Sequence, residues 1–162
     1  MNGAFLHLAF NHIPVIGVPF CALLLLGGMI RKSKDLVQAS FAMLILTALL
    51  TIVAFKTGGP AARIVHSYPG VTRAQIHEHA EAADDAFKAM DVLGILAIIG
   101  FWLSRRPEGA PKALTGVILL GALFMSCWFG WVAHLGGEIR HPEIESASEA
   151  AAPAPAANPP AH

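Results

Sequence analysis

The chain has 162 residues, of which 55% are hydrophobic and only 14% are charged, and its formal net charge is zero. This is the composition of a membrane protein rather than of a soluble one. No nucleic-acid partner is expected, because the chain has no basic surplus, and the sequence contains no P-loop and no dinucleotide-binding glycine motif.

Four apolar stretches are each long enough to cross a bilayer, which takes roughly 20 helical residues. They cover residues 5–30, 36–55, 86–103 and 113–135. The third helix is expected to begin before its apolar stretch, because Pro69-Gly70 predicts a turn and Thr72 can cap a helix. The fold class is therefore predicted to be all-α, an integral membrane four-helix bundle. Residues 1–144 are assigned to the four-span membrane domain and residues 145–162 to an Ala/Pro-rich flexible tail.

Basic residues predict the orientation of the bundle. They crowd the two short links between the spans, at Arg31, Lys32 and Lys34 and at Arg105, Arg106 and Lys112. The long link over residues 57–85 is instead rich in acids. The positive-inside rule then places the short links in the cytoplasm. Both termini and the long link are expected on the periplasmic side of a bacterial inner membrane, which the protein crosses several times.

Seven of the eight histidines are expected at that outer face: His7, His12, His66, His77, His79, His134 and His141. At about 1.5 Å per helical residue, His7, His12, His79 and His134 share a band about 10 Å deep at the outer interface. His141 follows the last span closely enough to fold back towards this band. One interfacial histidine means little, because imidazole is amphipathic, but a one-sided cluster indicates a metal or heme site.

Ionisable residues on the third span form a second pattern. Glu81, Asp84, Lys88 and Asp91 recur at helical spacings of three and four, so they form one stripe. Asp91 is the deepest, about 20 Å above the inner end of the helix. Two interpretations are open. In the first, Lys88 forms an ion pair with Asp84 or Asp91 that only neutralises the stripe. In the second, Glu81, Asp84 and Asp91 form a proton path or support the metal ligands from below.

Several sequence motifs resemble those of bacterial four-helix integral membrane proteins classed as a domain of unknown function. The first is His7, four residues, His12, one residue and Pro14, and the last is the run Gly136-Gly137-Glu-Ile-Arg-His141-Pro-Glu143. Two looser motifs begin at Thr57-Gly58 and at Pro69-Gly70. The resemblance covers residues 5 to about 144. It implies the four-helix fold and makes His7, His12, His79 and His141 the histidines of the group, but it implies no established activity.

The first functional hypothesis is a membrane redox or electron-transfer protein, or a subunit of one, that is not itself an enzyme. It would hold heme b at the periplasmic interface through His12, His79, His134 and His141, with His12 and His79 or His79 and His141 as axial ligands. Its partners would be the lipid bilayer and other membrane or periplasmic redox subunits.

Two alternatives remain open. The site could hold copper, zinc or iron without heme, bound by His7, His12, His79 and His141 with Glu81 or Glu143. The chain could also be a non-catalytic accessory subunit of a larger membrane complex, with histidines that only decorate the interface. Cys21 and Cys127 lie singly inside spans and predict no disulfide.

Overall fold

A computed structural model of the protein describes residues 3–140, which form four α-helices. These are α1 (Gly3–Arg31), α2 (Lys34–Val65), α3 (Arg73–Ser104) and α4 (Lys112–Arg140). All four are long and apolar enough to span a membrane. The predicted all-α fold is confirmed, and the protein is a multi-pass membrane protein built as a four-helix bundle. The predicted tail over residues 145–162 lies outside the described residues.

The helices alternate in direction and form a closed ring. Each helix packs against the one before it, and α4 packs back against α1. The helices α1 and α3 therefore lie diagonally across the bundle from each other. The starts of α1 and α3 and the ends of α2 and α4 form one end, the upper end. The links at 32–33 and 105–111 form the other, the lower end.

The helix boundaries follow from local side-chain caps. At the start of α3 the Thr72 side chain accepts a hydrogen bond from the Gln75 backbone, and the Gln75 side chain accepts one from the Thr72 backbone. This capping box confirms the predicted early start of α3. The predicted start of the long link at residue 57 is wrong, because α2 continues to Val65 and only residues 66–72 lie between the two helices. Pro60 does not end α2, as is common in spanning helices, where neighbouring helices satisfy the backbone groups that a proline frees.

The core lies along one face of each helix. In α1 this face contains Pro14, Val18, Cys21 and Leu25, at the three- and four-residue spacing of an α-helix. Large side chains on the opposite faces stay exposed, as with Ile30 at 71%. Exposed apolar side chains on every helix suit a bundle whose outer surface contacts lipid rather than water.

Candidate functional site

His7 and His79 meet at the upper end of the bundle. His7 continues the buried face of α1, because it lies seven residues before Pro14, two helical turns along the same face. His79 continues the buried face of α3 in the same way, seven residues before Ala86. The two ring centroids lie 6.4 Å apart and the ring planes are inclined at 84°. The pair therefore joins the two diagonally opposed helices across the interior.

The backbone of the other two helices holds both rings in place. His7 Nδ1–H donates to the Ala54 carbonyl oxygen of α2 at 2.9 Å. His79 Nδ1–H donates to the Val132 carbonyl oxygen of α4 at 3.1 Å. A carbonyl can only accept, so each neutral ring carries its proton on Nδ1 and presents the lone pair of Nε2. Metal-binding histidines are oriented by this kind of bond, in which the non-ligating nitrogen donates to a carbonyl.

One glycine of each flanking helix lies against a ring of the pair. A Cβ atom at Gly58 in α2 would lie 3.5 Å from His7 Cε1, an ordinary van der Waals contact. A Cβ atom at Gly136 in α4 would lie 3.1 Å from His79 Cε1, which is closer than side chains normally approach. The glycines of two of the sequence motifs thus lie directly against the histidine pair, one on each flanking helix.

Asn11 adds a polar atom one helical turn below His7. Its Oδ1 is buried and has no hydrogen-bond partner among the described residues. Buried polar atoms in proteins are nearly always hydrogen-bonded. This oxygen is therefore an acceptor that a water molecule or a bound ligand at the histidine pair can use.

His12 does not belong to this pair. It follows His7 by five residues, so it points about 140° away around α1. Its side chain is exposed, and its Nδ1 bonds to the Leu8 carbonyl oxygen of the same helix at 2.9 Å. The predicted pairing of His12 with His79 is therefore corrected: the structure brings together His7 and His79.

The remaining described histidines make local contacts at the upper end. His134 lies 3.1 Å from Glu138, and His77 lies 3.4 Å from Glu81, each one turn along its own helix. His66 Nε2 accepts a hydrogen bond from Arg73 Nε at 2.9 Å. All three of these histidines are exposed.

The structure therefore assembles only part of the predicted ligand sets. Over residues 3–140 no group of three or more histidine, cysteine or acidic side chains is placed to hold a metal ion. His7 and His79 are brought together, whereas His12 and His134 point elsewhere. His141 and Glu143 lie outside the described residues, so the proposed pairing of His79 with His141 remains a prediction.

The acidic stripe of α3 divides into two parts. Lys88 Nζ lies 2.6 Å from Asp84 and 3.2 Å from Asp85, so the ion-pair interpretation holds for the upper part of the stripe. Asp91 is separate from these residues. It is half-buried at a groove between α2 and α3, on a face of α3 about 120° from that of His79. It is therefore not placed beneath the histidine pair.

Comparison with known proteins gives no relative. No family profile matches the chain, and neither curated proteins nor solved structures match it. The resemblance of its motifs to a membrane family stays a prediction, and a function must be argued from the site itself.

Proposed function

We propose that the protein is a membrane electron-transfer protein, or a subunit of one, that binds heme b between His7 and His79. One observation carries the proposal. Two imidazoles from diagonally opposed helices meet in the interior, each with Nδ1–H held by a backbone carbonyl and Nε2 left available. Four-helix bundles bind cofactors between facing helices in this way.

The separation of the rings fits a shared metal ion. A metal–imidazole bond is about 2.0–2.1 Å and a ring nitrogen lies about 1.1 Å from the ring centre, so two imidazoles that bind one ion would have centroids at most about 6.3 Å apart. The observed separation is 6.4 Å. The 84° between the planes is no obstacle, since each imidazole binds a metal within its own plane.

The number of ligands favours heme over a bare ion. Zinc sites use three or four protein ligands, whereas heme iron needs only axial ligands from the protein. The described residues supply two, on opposite helices. Gly58 and Gly136, on the two remaining helices, lack side chains on either side of the pair. The backbones of α2 and α4 therefore approach the two rings closely at these positions.

When bound, a heme supplies one-electron redox chemistry. The protein's own contribution is to orient and tune the ligands. The hydrogen bonds from His7 to Ala54 and from His79 to Val132 fix the tautomers and raise the basicity of Nε2. A more basic ligand set stabilises the oxidised state of an iron centre. Asn11 Oδ1 can accept a hydrogen bond from a group next to His7.

The position of the pair suits exchange of electrons at a membrane surface. His7 lies about 36 Å above Arg31 along α1, beyond a hydrocarbon layer about 30 Å thick and therefore at headgroup depth. The basic residues of the lower end support a cytoplasmic location for that end. The proposed site then faces the periplasm of a bacterial inner membrane, where redox subunits can reach it.

Purification without a histidine tag from heme-replete cells tests the proposal. The oxidised and dithionite-reduced spectra are recorded, and heme and transition metals are quantified on the same sample. The expected result is a Soret band, an α-band on reduction and about one heme per chain. A colourless protein with stoichiometric copper, zinc or iron would support the non-heme alternative. A protein with neither heme nor metal would overturn the cofactor proposal and favour an accessory subunit.

A further inference from the structure

Asp91 is an ionisable side chain inside a spanning helix, and residues 3–140 supply no partner for it. It lies about 20 Å above Ser104 along α3, which is about 10 Å below the upper boundary of a hydrocarbon layer about 30 Å thick. Among the described residues no side chain forms an ion pair or hydrogen bond with it. Lys88, one turn above, is already engaged by Asp84 and Asp85.

The surroundings of Asp91 are an open apolar groove between α2 and α3. Its walls are Ile45, Leu49 and Ile52 of α2 and Gly94 and Ile98 of α3. Leu49 is 56% exposed and Ile98 is 44% exposed, so the groove opens towards the lipid rather than into the bundle. The two helices are close here, because a Cβ atom at Gly94 would lie 2.8 Å from the Ala48 Cβ. The groove is thus a shallow apolar channel with one carboxylate.

We propose that this groove docks a transmembrane helix of another protein, which carries a lysine or arginine level with Asp91. An ionised carboxylate in hydrocarbon costs several kcal/mol unless it is paired, so such residues usually face a partner. The apolar walls suit a helix, and the single carboxylate selects a basic side chain by charge complementarity. Lipid headgroups lie about 10 Å too high to supply that charge.

A second copy of this chain does not supply the basic side chain either. Near this depth the described basic residues are Lys88 and Lys56. Lys88 is occupied, and Lys56 lies about 33 Å above Lys34 along α2, at the upper interface. The partner is therefore a different membrane protein. The groove is on a different face of α3 from His79, so this inference stands independently of the proposed cofactor.

Site-specific photo-cross-linking in native membranes tests the inference. The photoreactive residue p-benzoylphenylalanine is incorporated at position 49 in the full chain. As a matched control it is incorporated at position 127, where Cys127 is exposed on α4. Both positions lie about 22 Å along their helices from the lower end. The expected result is a cross-link from position 49 to an apolar segment of another protein that contains a lysine or arginine, identified by mass spectrometry.

The dependence of this cross-link on the charge at position 91 decides whether the inference holds. Asp91→Asn, nearly isosteric, is expected to reduce this cross-link about fivefold or more, whereas Asp91→Glu is expected to retain it. Replacing the partner's basic residue with methionine should reduce it equally. Thermal melting of each variant shows whether it is stably folded. If Asp91→Asn destabilises the fold, the cross-linking test is repeated with Asp91→Leu. The inference is overturned by a cross-link that Asp91→Asn leaves unchanged, a cross-link to a second copy, a segment without a basic residue, or cross-linking to lipid alone.

Discussion

Replacing Gly136 with alanine tests the position of the His79 ring. The added methyl group would lie 3.1 Å from His79 Cε1, so the ring must move by a few tenths of an ångström. At Gly137, the next residue, a Cβ atom meets nothing within 4 Å. The two glycines share the last turns of α4, which makes Gly137→Ala the matched control.

The magnitude follows from two opposing terms. Glycine to alanine within a helix gains up to about 1 kcal/mol of helix stability. At Gly137 this gain is expected in full. At Gly136 it is offset, because the displaced ring strains the hydrogen bond from His79 Nδ1 to the Val132 carbonyl, and such a bond contributes about 0.5–1.5 kcal/mol. The expected difference is about 1 kcal/mol, or about 3 °C in melting temperature for a domain of this size.

Thermal unfolding followed by circular dichroism, in one detergent for both variants, measures this difference. The heme content of Gly136→Ala is expected to fall as well, since the ring no longer lies where the Val132 carbonyl orients it. If Gly136→Ala melts as high as Gly137→Ala and binds as much heme as the unaltered protein, His79 does not lie against α4 as described.

Three further outcomes are expected. Met90→Ala, at a fully buried core position, should lose about 2–5 kcal/mol of unfolding free energy in thermal or denaturant melts. Val92→Ala, 58% exposed towards lipid, should change it by less than about 1 kcal/mol, and equal losses would contradict the packing of α3. Thr72→Ala should lower the free energy of unfolding by about 1 kcal/mol in the same melts, because the capping box of α3 is lost. In the folded protein in a bilayer, a photoactivated apolar diazirine dissolved in the lipid should label Cys127 and spare the buried Cys21, so equal labelling of both would refute the burial of α1.

The sequence predicted the fold well because hydrophobic length alone specifies a spanning helix. The ends of the helices were predicted less accurately. Residues 57–65 read as a loop, since Gly58, Gly59 and Pro60 are turn residues in water. In the bundle they continue α2, where Gly58 lies against His7 and the start of α1 packs on Pro60. Tertiary packing overrode local propensity there.

The site was predicted only in part, because membrane depth does not give direction around a helix. His7 and His12 lie at similar depth, and depth alone could not separate them. The spacing of the apolar residues along α1 nevertheless determines which way each histidine side chain points. The buried face of α1, which contains Pro14, Val18 and Cys21, extends upward to Asn11 and His7 and leaves His12 on the outside. The carbonyl partners in α2 and α4 had no sequence signal, because any residue supplies a backbone carbonyl.

The heme content of single histidine variants tests the central claim most directly. His7→Ala, His79→Ala and His12→Ala are purified from heme-replete cells, and bound heme per chain is measured together with the melting temperature. A ligand that binds only the folded state also stabilises it. His7→Ala and His79→Ala should therefore lose heme and melt lower, whereas His12→Ala should match the unaltered protein in both. Full heme occupancy in His7→Ala, or loss of heme in His12→Ala alone, would contradict a site built on His7 and His79.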